Sequence, residues 1–73
     1  MSYRIECIPN VSTADPAILE RIAAAIEATE GVTLHFVDAG KSANRTVFTY
    51  LGPVNQVLKA TEALFAIALS EID

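Results

Sequence analysis

The sequence predicts an α+β sandwich in the order βαββα, a ferredoxin-like half-domain in which two helices cover one face of an antiparallel sheet. Three observations lead to this fold class. Residues 3–8 alternate in the way of a strand, two stretches with helical periodicity each start at a proline, and two runs rich in β-branched and aromatic residues lie between them. A chain of 73 residues has room for a single small domain, residues 1–73, one strand short of the full pattern.

The first half of the chain gives a strand and then a helix. Pro9 and Asn10 are expected to end the strand, because proline removes a ladder donor and asparagine favours turns. Asp15 is a good N-cap, Pro16 suits the first helical position, and Gly31 is expected to close the helix in a left-handed conformation. Residues at helical spacing predict its buried side: Ile18, Leu19, Ile22, Ala25, Ile26 and Thr29.

The second half gives two strands and a second helix. Residues 32–37 and 46–51 are the predicted strands, and without a helix between them they should pair antiparallel. Gly52 and Pro53 mark the start of a helix that continues to Ile72. Its later half, residues 63–69, is apolar nearly all round, which predicts burial against more than a three-stranded sheet.

The missing strand leaves an open sheet edge with unpaired backbone groups. Either the chain continues in its natural context and supplies that strand, or a second copy pairs with the edge.

Composition argues against several classes of function. The formal net charge is -4, and the few basic residues are scattered, so no basic stripe for nucleic acid is present. The single cysteine, Cys7, can form neither an internal disulfide nor a metal site by itself, and it favours a reducing, cytoplasmic location. The longest apolar run, residues 63–69, is far shorter than the ~20 residues that a bilayer requires, so no membrane role is expected.

The segment 38–45 is the one polar loop predicted between strands. Asp38, Gly40, Ser42, Asn44 and Arg45 supply a carboxylate, a flexible backbone, a hydroxyl, an amide and a planar guanidinium within eight residues. This mixture suits a small polar ligand, with Arg45 able to hold a carboxylate. A solvated hairpin, in which Asp38 and Asn44 merely hydrogen-bond the loop backbone, explains the same composition.

Three further features of the sequence bear on a binding or catalytic site. Asn10 and Ser12 follow the first strand, where they either reach a site at the end of the sheet or cap the helix entry. His35 alternates with Leu34 and Phe36, so it is expected to face away from both, and without a paired acid it is not expected to act as a base. The run from Gly40 to Ser42 is not a phosphate loop, because His35 stands where that motif needs its first glycine.

Two motifs carry a resemblance to a known family. The segment I-E-C-I-P-N-V-S at residues 5–12 resembles the E-C-V-P-N-F-S start of the formiminotransferase amino-terminal subdomain. The segment V-D-A-G-K-S-A-N-R-T-V-F-T-Y-L-G at residues 37–52 resembles that family's D-A-G-x-S-x-N-R-T-V-x-T-x-x-G. The spacing between them fits without a gap, so the resemblance covers essentially the whole chain.

The resemblance implies a transferase of one-carbon metabolism and histidine degradation. Such an enzyme moves a formimino group from N-formimino-L-glutamate to tetrahydrofolate. Tetrahydrofolate is a co-substrate, and the resemblance implies no metal. The family's acid/base histidine lies in an H-H-G-x-H-P-R-M-G segment that this sequence lacks, so the chain alone is expected to be inactive. Its partners would be the two substrates and the remainder of the domain or a second copy. The residues implied to bind substrate and folate are Asn10, Ser12, Asp38, Gly40, Ser42, Asn44 and Arg45.

Two alternatives stay open. The chain is either a binding module that kept part of the cleft without its chemistry, or a structural dimer formed through the second helix and the open edge.

Overall fold

The computed structural model describes residues 4–40 and 43–71, which form four strands and two helices. In chain order these are β1 (Arg4–Cys7), β2 (Asn10–Val11), α1 (Pro16–Glu27), β3 (Thr33–Gly40), β4 (Arg45–Pro53) and α2 (Val54–Glu71). The predicted α+β class, an antiparallel sheet with two helices, is confirmed.

β4 is the central strand of the sheet. It pairs antiparallel with β1, β2 and β3. β1 and β2 keep one register along β4, with Cys7 opposite Tyr50 and Asn10 opposite Val47. Because β3 pairs with some of the same β4 residues, it lies on the other side of β4. β1 and β2 together therefore form one edge of the sheet, and β3 forms the other.

The two faces of the sheet differ in burial. Along β4, Thr46, Phe48 and Tyr50 are fully buried under the helices, whereas the residues that alternate with them are more exposed. Both helices pack on this buried side, α1 against β3 and α2 against β1 and β4. Burying a large apolar side chain contributes about 1.5–3 kcal/mol. The core consists of Val11, Leu19, Ile22, Ile26, Phe48, Tyr50, Val57, Ala60 and Leu64.

β1 ends at Cys7, so the first strand stops before Pro9 and Asn10 as predicted, but pairing with β4 resumes in β2. The N–H of Phe48 donates to the carbonyl of Pro9 at 3.0 Å, and the ladder continues through Asn10 and Val11. Proline is tolerated because its carbonyl still accepts a hydrogen bond and only its own donor is missing. Of the predicted first strand, Tyr3 lies outside the described residues.

The polar loop predicted at residues 38–45 is wrong in extent. Residues 38–40 belong to β3 and pair with residues 45–47 of β4, so both ends of the predicted loop are strand. Asn44, just before β4, has φ 51°, in the left-handed region that asparagine tolerates better than most residues. Asp38 and Gly40 are therefore held by strand pairing.

The start of α1 is confirmed and its end is not. The Asp15 side chain accepts a hydrogen bond from the N–H of Ala17 at 3.0 Å, and Pro16 is the first helical residue. The helix ends at Glu27, before the predicted Gly31. Gly31 does adopt a left-handed φ of 84°, but in the turn that leads into β3.

α2 follows the predicted range as far as Glu71, and Ile72 lies outside the described residues. The burial predicted for its later half holds only in part. Leu64 is buried, whereas Phe65 and Leu69 are 55% and 84% exposed. α2 therefore leaves apolar surface uncovered in the single chain.

Candidate functional site

The sheet face left uncovered by the helices carries four of the candidate residues. Asn10 of β2 and Asp38 of β3 both lie opposite Val47 of β4, one on each side of it. Neighbouring strands are about 4.8 Å apart, which puts the Cα atoms of Asn10 and Asp38 roughly 10 Å from each other. An amide and a carboxylate thus flank an apolar floor wide enough for a small planar molecule.

The next open-face pair toward the hairpin is Gly40 opposite Arg45. Side chains two residues apart on a strand share a face, so Arg45 lies on the same face as Val47, and Gly40 on the same face as Asp38. Asn44 immediately precedes Arg45 in the turn and is exposed. Ser42 lies outside the described residues, so the structure gives it no place in the site.

Ser12 lies in a different position. It is exposed after β2 and lines a groove of about 270 Å³ between β2 and α2, together with Leu64 and Phe65. Asn10 also borders this groove, at the edge of the sheet. The structure therefore brings Asn10, Asp38, Gly40 and Arg45 together, and it places Ser12 at the helix side of the same edge.

Two threonines that the sequence did not single out fix this region. The hydroxyl of Thr46 donates to the carbonyl of Thr13 at 2.7 Å, and both residues are buried. The hydroxyl of Thr13 accepts a hydrogen bond from the N–H of Asp15 at 3.1 Å. The segment after β2 is thereby tied to β4 beside the hairpin. Thr46 does lie inside the longer motif. Its contact with Thr13 joins residues that are far apart in the sequence, so local residue spacing could not predict it.

Phe36 is a further residue that sequence reasoning placed wrongly. A β-bulge between Leu34 and Phe36 puts Leu34 opposite Tyr50 and Phe36 opposite Thr49, so the two lie on different faces and the expected alternation fails. Phe36 is 68% exposed on the open face. It borders a depression of about 430 Å³ whose lining is Phe36, Val37, Asp38, Val47 and Thr49.

The polar groups on the open face have no partner within the described part of the chain. Within residues 4–40 and 43–71, no side-chain hydrogen bond or ion pair involves Asn10, Asp38, Asn44 or Arg45. All four residues are exposed, so water reaches them and a ligand can replace that water. The alternative of a solvated hairpin requires Asp38 and Asn44 to hydrogen-bond the loop backbone. No such bond is present among these residues.

A second polar cluster lies inside the core. The Tyr50 hydroxyl is 2.6 Å from the Thr61 hydroxyl, which donates to the Val57 carbonyl at 2.8 Å. Since the one Thr61 proton goes to Val57, Tyr50 is the donor in its contact with Thr61. The Cys7 sulfur lies 3.8 Å from the same Thr61 oxygen. Burial raises the pKa of Tyr50 to about 12, so this cluster holds α2 on the sheet with a neutral phenol.

The part of the chain that the structure describes meets neither the requirements for a metal site nor those for a membrane-spanning helix. No group of three or more His, Cys, Asp or Glu side chains is arranged to hold a metal ion within residues 4–40 and 43–71. Neither helix in those ranges is long and apolar enough to cross a membrane.

An antiparallel sheet with two helices on one face and exposed polar groups on the other defines a ferredoxin-like α+β half-domain. Comparison with protein families gives a more specific class. The family described as "Formiminotransferase domain, N-terminal subdomain" matches residues 4–73. The chain belongs to this formiminotransferase family, and the predicted resemblance is confirmed.

Individual proteins with formimidoyltransferase names are also similar to the chain. The chain is 44% identical over 70 residues to a formimidoyltransferase-cyclodeaminase of Dictyostelium discoideum. This match covers 89% of the chain and 13% of the relative. It is 38% identical over 74 residues to the protein of that name in Gallus gallus, covering all of the chain and 14% of the relative. A glutamate formimidoyltransferase of Streptococcus pyogenes serotype M1 is 34% identical over 74 residues, covering 25% of that relative. The chain thus spans a quarter or less of these proteins.

Proposed function

We propose that this chain forms one wall of the site of a cytoplasmic, folate-dependent glutamate formimidoyltransferase. The reaction is transfer of a formimino group from N-formimino-L-glutamate to tetrahydrofolate, which acts as co-substrate without a metal. One observation carries the proposal: Asn10 from the first family motif and Asp38 from the second flank the same residue, Val47, on the open sheet face. Membership of the formiminotransferase family supports the same reaction class.

The open-face residues fit the chemistry of both substrates. Asp38 accepts hydrogen bonds from a pterin amine or from the cationic formimino nitrogen, and Arg45 with Asn44 holds a substrate carboxylate. Phe36, exposed beside Asp38, offers a flat apolar surface on which a planar ring can stack. Gly40, which has no side chain, keeps the surface between Asp38 and the turn open.

Proton transfer needs a group that this wall does not supply. The sequence has one histidine, His35, exposed at the bulge of β3. Asp38, by contrast, is suited to binding a cation. We therefore assign the acid/base imidazole and the opposite wall to the remainder of the domain, and infer that the isolated chain does not turn over.

The test is a chimera in which this chain replaces the matching region of the Streptococcus pyogenes glutamate formimidoyltransferase. The chimera is expected to transfer the formimino group to tetrahydrofolate, measured as the rate of product formation, while the isolated 73-residue chain shows no turnover. The control is the intact relative assayed alongside. A chimera that is folded by circular dichroism and yet inactive would contradict the proposal.

Calorimetric titration of the isolated chain, together with the chimera assay, distinguishes the transferase from a binding module without chemistry. Saturable micromolar binding of tetrahydrofolate or glutamate, combined with a folded but inactive chimera, would favour a module without chemistry. An active chimera would favour the transferase whatever the affinity of the isolated chain.

A further inference from the structure

The bulge in β3 turns an aromatic side chain out of the core. In a regular strand, Phe36 would lie on the same face as Leu34 and point toward the helices. The bulge between these residues turns the Phe36 ring to the open face, where it is 68% exposed. No other large apolar side chain of the described strands is as exposed. Bulges are common beside active sites, where they re-aim one side chain, so this ring is a candidate ligand contact.

A second apolar side chain lies across β4 from this ring. β1 and β2 keep one register along β4, which places Ile8, between the two strands, opposite Thr49. The Cys7 sulfur lies 3.8 Å from Thr61 of α2, on the helix side, so Ile8 alternates to the open face. It is 55% exposed there. Because Phe36 also pairs with Thr49, the two apolar side chains flank that residue, with Cα atoms roughly 10 Å apart.

A carboxylate and an amide lie directly beside this apolar pair. Asp38 follows Phe36 by two residues on β3, so both lie on the open face, with Cα atoms about 7 Å apart. Asn10 follows Ile8 in the same way on the other side of β4. Asp38 and Asn10 are both exposed, so their polar atoms are within reach of a ligand. An apolar half and a hydrogen-bonding half therefore adjoin on a surface the size of one small heterocycle.

We propose that Phe36 is a specificity-determining residue that holds the pterin ring of the folate, with Ile8 as the facing apolar contact and Asp38 as the acceptor for the amino edge of the ring. This inference rests on the proposed transferase function, because that function supplies the pterin. It goes further by assigning one half of one substrate to one end of the open face.

The chemistry of a pterin matches both halves of this surface. Its amino group and the adjacent ring N–H donate in the same direction, so the carboxylate of Asp38 can accept both hydrogen bonds, as it would from a guanidinium. Its flat ring lies between Phe36 and Ile8, and offset stacking on an aromatic side chain adds to the burial of apolar area. With the amino edge at Asp38, the ring extends over Val47 toward Asn10.

N-formimino-L-glutamate fits this end of the face less well. It carries two carboxylates, which Asp38 repels, and it has no aromatic ring to cover Phe36. Arg45, two residues from Val47 on β4, offers those carboxylates a cation instead. Pairing of the cationic formimino group with Asp38 is the competing arrangement, and substitution of Phe36 distinguishes the two.

NMR titration of the 73-residue chain with 5-formyltetrahydrofolate, and separately with N-formimino-L-glutamate, tests the assignment directly. The folate should shift the ring protons of Phe36 and the amides of residues 36–38 and 47–49, whereas N-formimino-L-glutamate should leave the Phe36 ring unchanged. Phe36→Leu, which keeps an apolar side chain without a ring, should weaken folate binding about threefold to tenfold. Phe36→Tyr keeps the ring and should bind like the unaltered chain. Leu58→Ala is the matched control, since Leu58 is 56% exposed on α2, on the helix side of the sheet.

Kinetics of the chimera give an independent readout. Phe36→Leu should raise KM for tetrahydrofolate by the same factor and leave kcat and KM for N-formimino-L-glutamate unchanged, as expected when only binding of one substrate is weakened. An unshifted Phe36 ring at millimolar folate, or equal affinity of Phe36→Leu and the unaltered chain, would overturn the inference. A rise in KM for N-formimino-L-glutamate instead would overturn it too, while the transferase function would stand. An inactive chimera would count against that function, and the titration would still decide whether Phe36 binds a pterin.

Discussion

At the scale of single residues, the hydroxyl chain from Tyr50 through Thr61 to Val57 links the sheet to α2. Replacing Tyr50 with Phe keeps the ring and removes the donor. We expect a loss of about 1 kcal/mol in the free energy of unfolding, the usual size for one neutral hydrogen bond. Urea denaturation measures this loss. Unchanged stability would mean that the Tyr50 contact contributes nothing.

The raised pKa of Tyr50 gives a pH dependence of known sign. The folded pKa is about 12 against an ordinary 10.0, so between these values the unfolded chain loses the phenolic proton while the folded chain keeps it. The stabilisation is complete below pH 10.0 and is lost as pH rises toward 12. The unaltered chain should lose more stability than Tyr50→Phe in denaturant titrations across this window. Parallel pH profiles would contradict the assignment.

Two glycines make a matched pair. A Cβ at Gly52 would lie 2.6 Å from the Gly31 carbonyl oxygen, closer than real contacts allow, whereas one at Gly40 would lie 3.4 Å from its nearest neighbour on an exposed strand. Gly52→Ala should cost about 1–3 kcal/mol through overpacking, and Gly40→Ala should cost much less. Thermal melting of both variants measures the difference. Equal destabilisation would argue against a close approach at Gly52.

At the scale of elements, Thr46 holds the segment after β2 in place. Thr46→Val should cost about 1–3 kcal/mol, because the buried carbonyl of Thr13 loses its donor. Amide exchange of residues 12–15 should also become faster. Thr49→Val is the control, since Thr49 lies on the open face of the same strand. Equal exchange in both variants would show that Thr46 does not fix this segment.

Element starts were predictable because their signals are local. The Asp15 cap and Pro16 act within one turn of α1, so they are readable without the fold. Strand ends depend on partners instead. The pairing past Pro9, the extension of β3 to Gly40 and the bulge before Phe36 are all set by register against β4, which local sequence does not encode.

At the scale of the whole molecule, the two family motifs contain the four candidate residues that share the open face. Asn10, Asp38, Gly40 and Arg45 share that face because β4 pairs with both edges of the sheet. The motifs do not show that Ser12 lies apart from these four residues, at the groove beside α2. They also did not identify Phe36, since only the bulge turns that ring to the open face.

The most direct measurement is the effect of open-face substitutions on formimino transfer by the chimera with the Streptococcus pyogenes relative. Asp38→Asn and Arg45→Met should each lower kcat/KM by about 10-fold to 100-fold with an unchanged melting temperature, the effect of losing one charged hydrogen bond. Glu20→Gln, an exposed change on α1, should leave kcat/KM as it was. An active chimera that is indifferent to both open-face changes would contradict the assignment of the substrate wall to this sheet face.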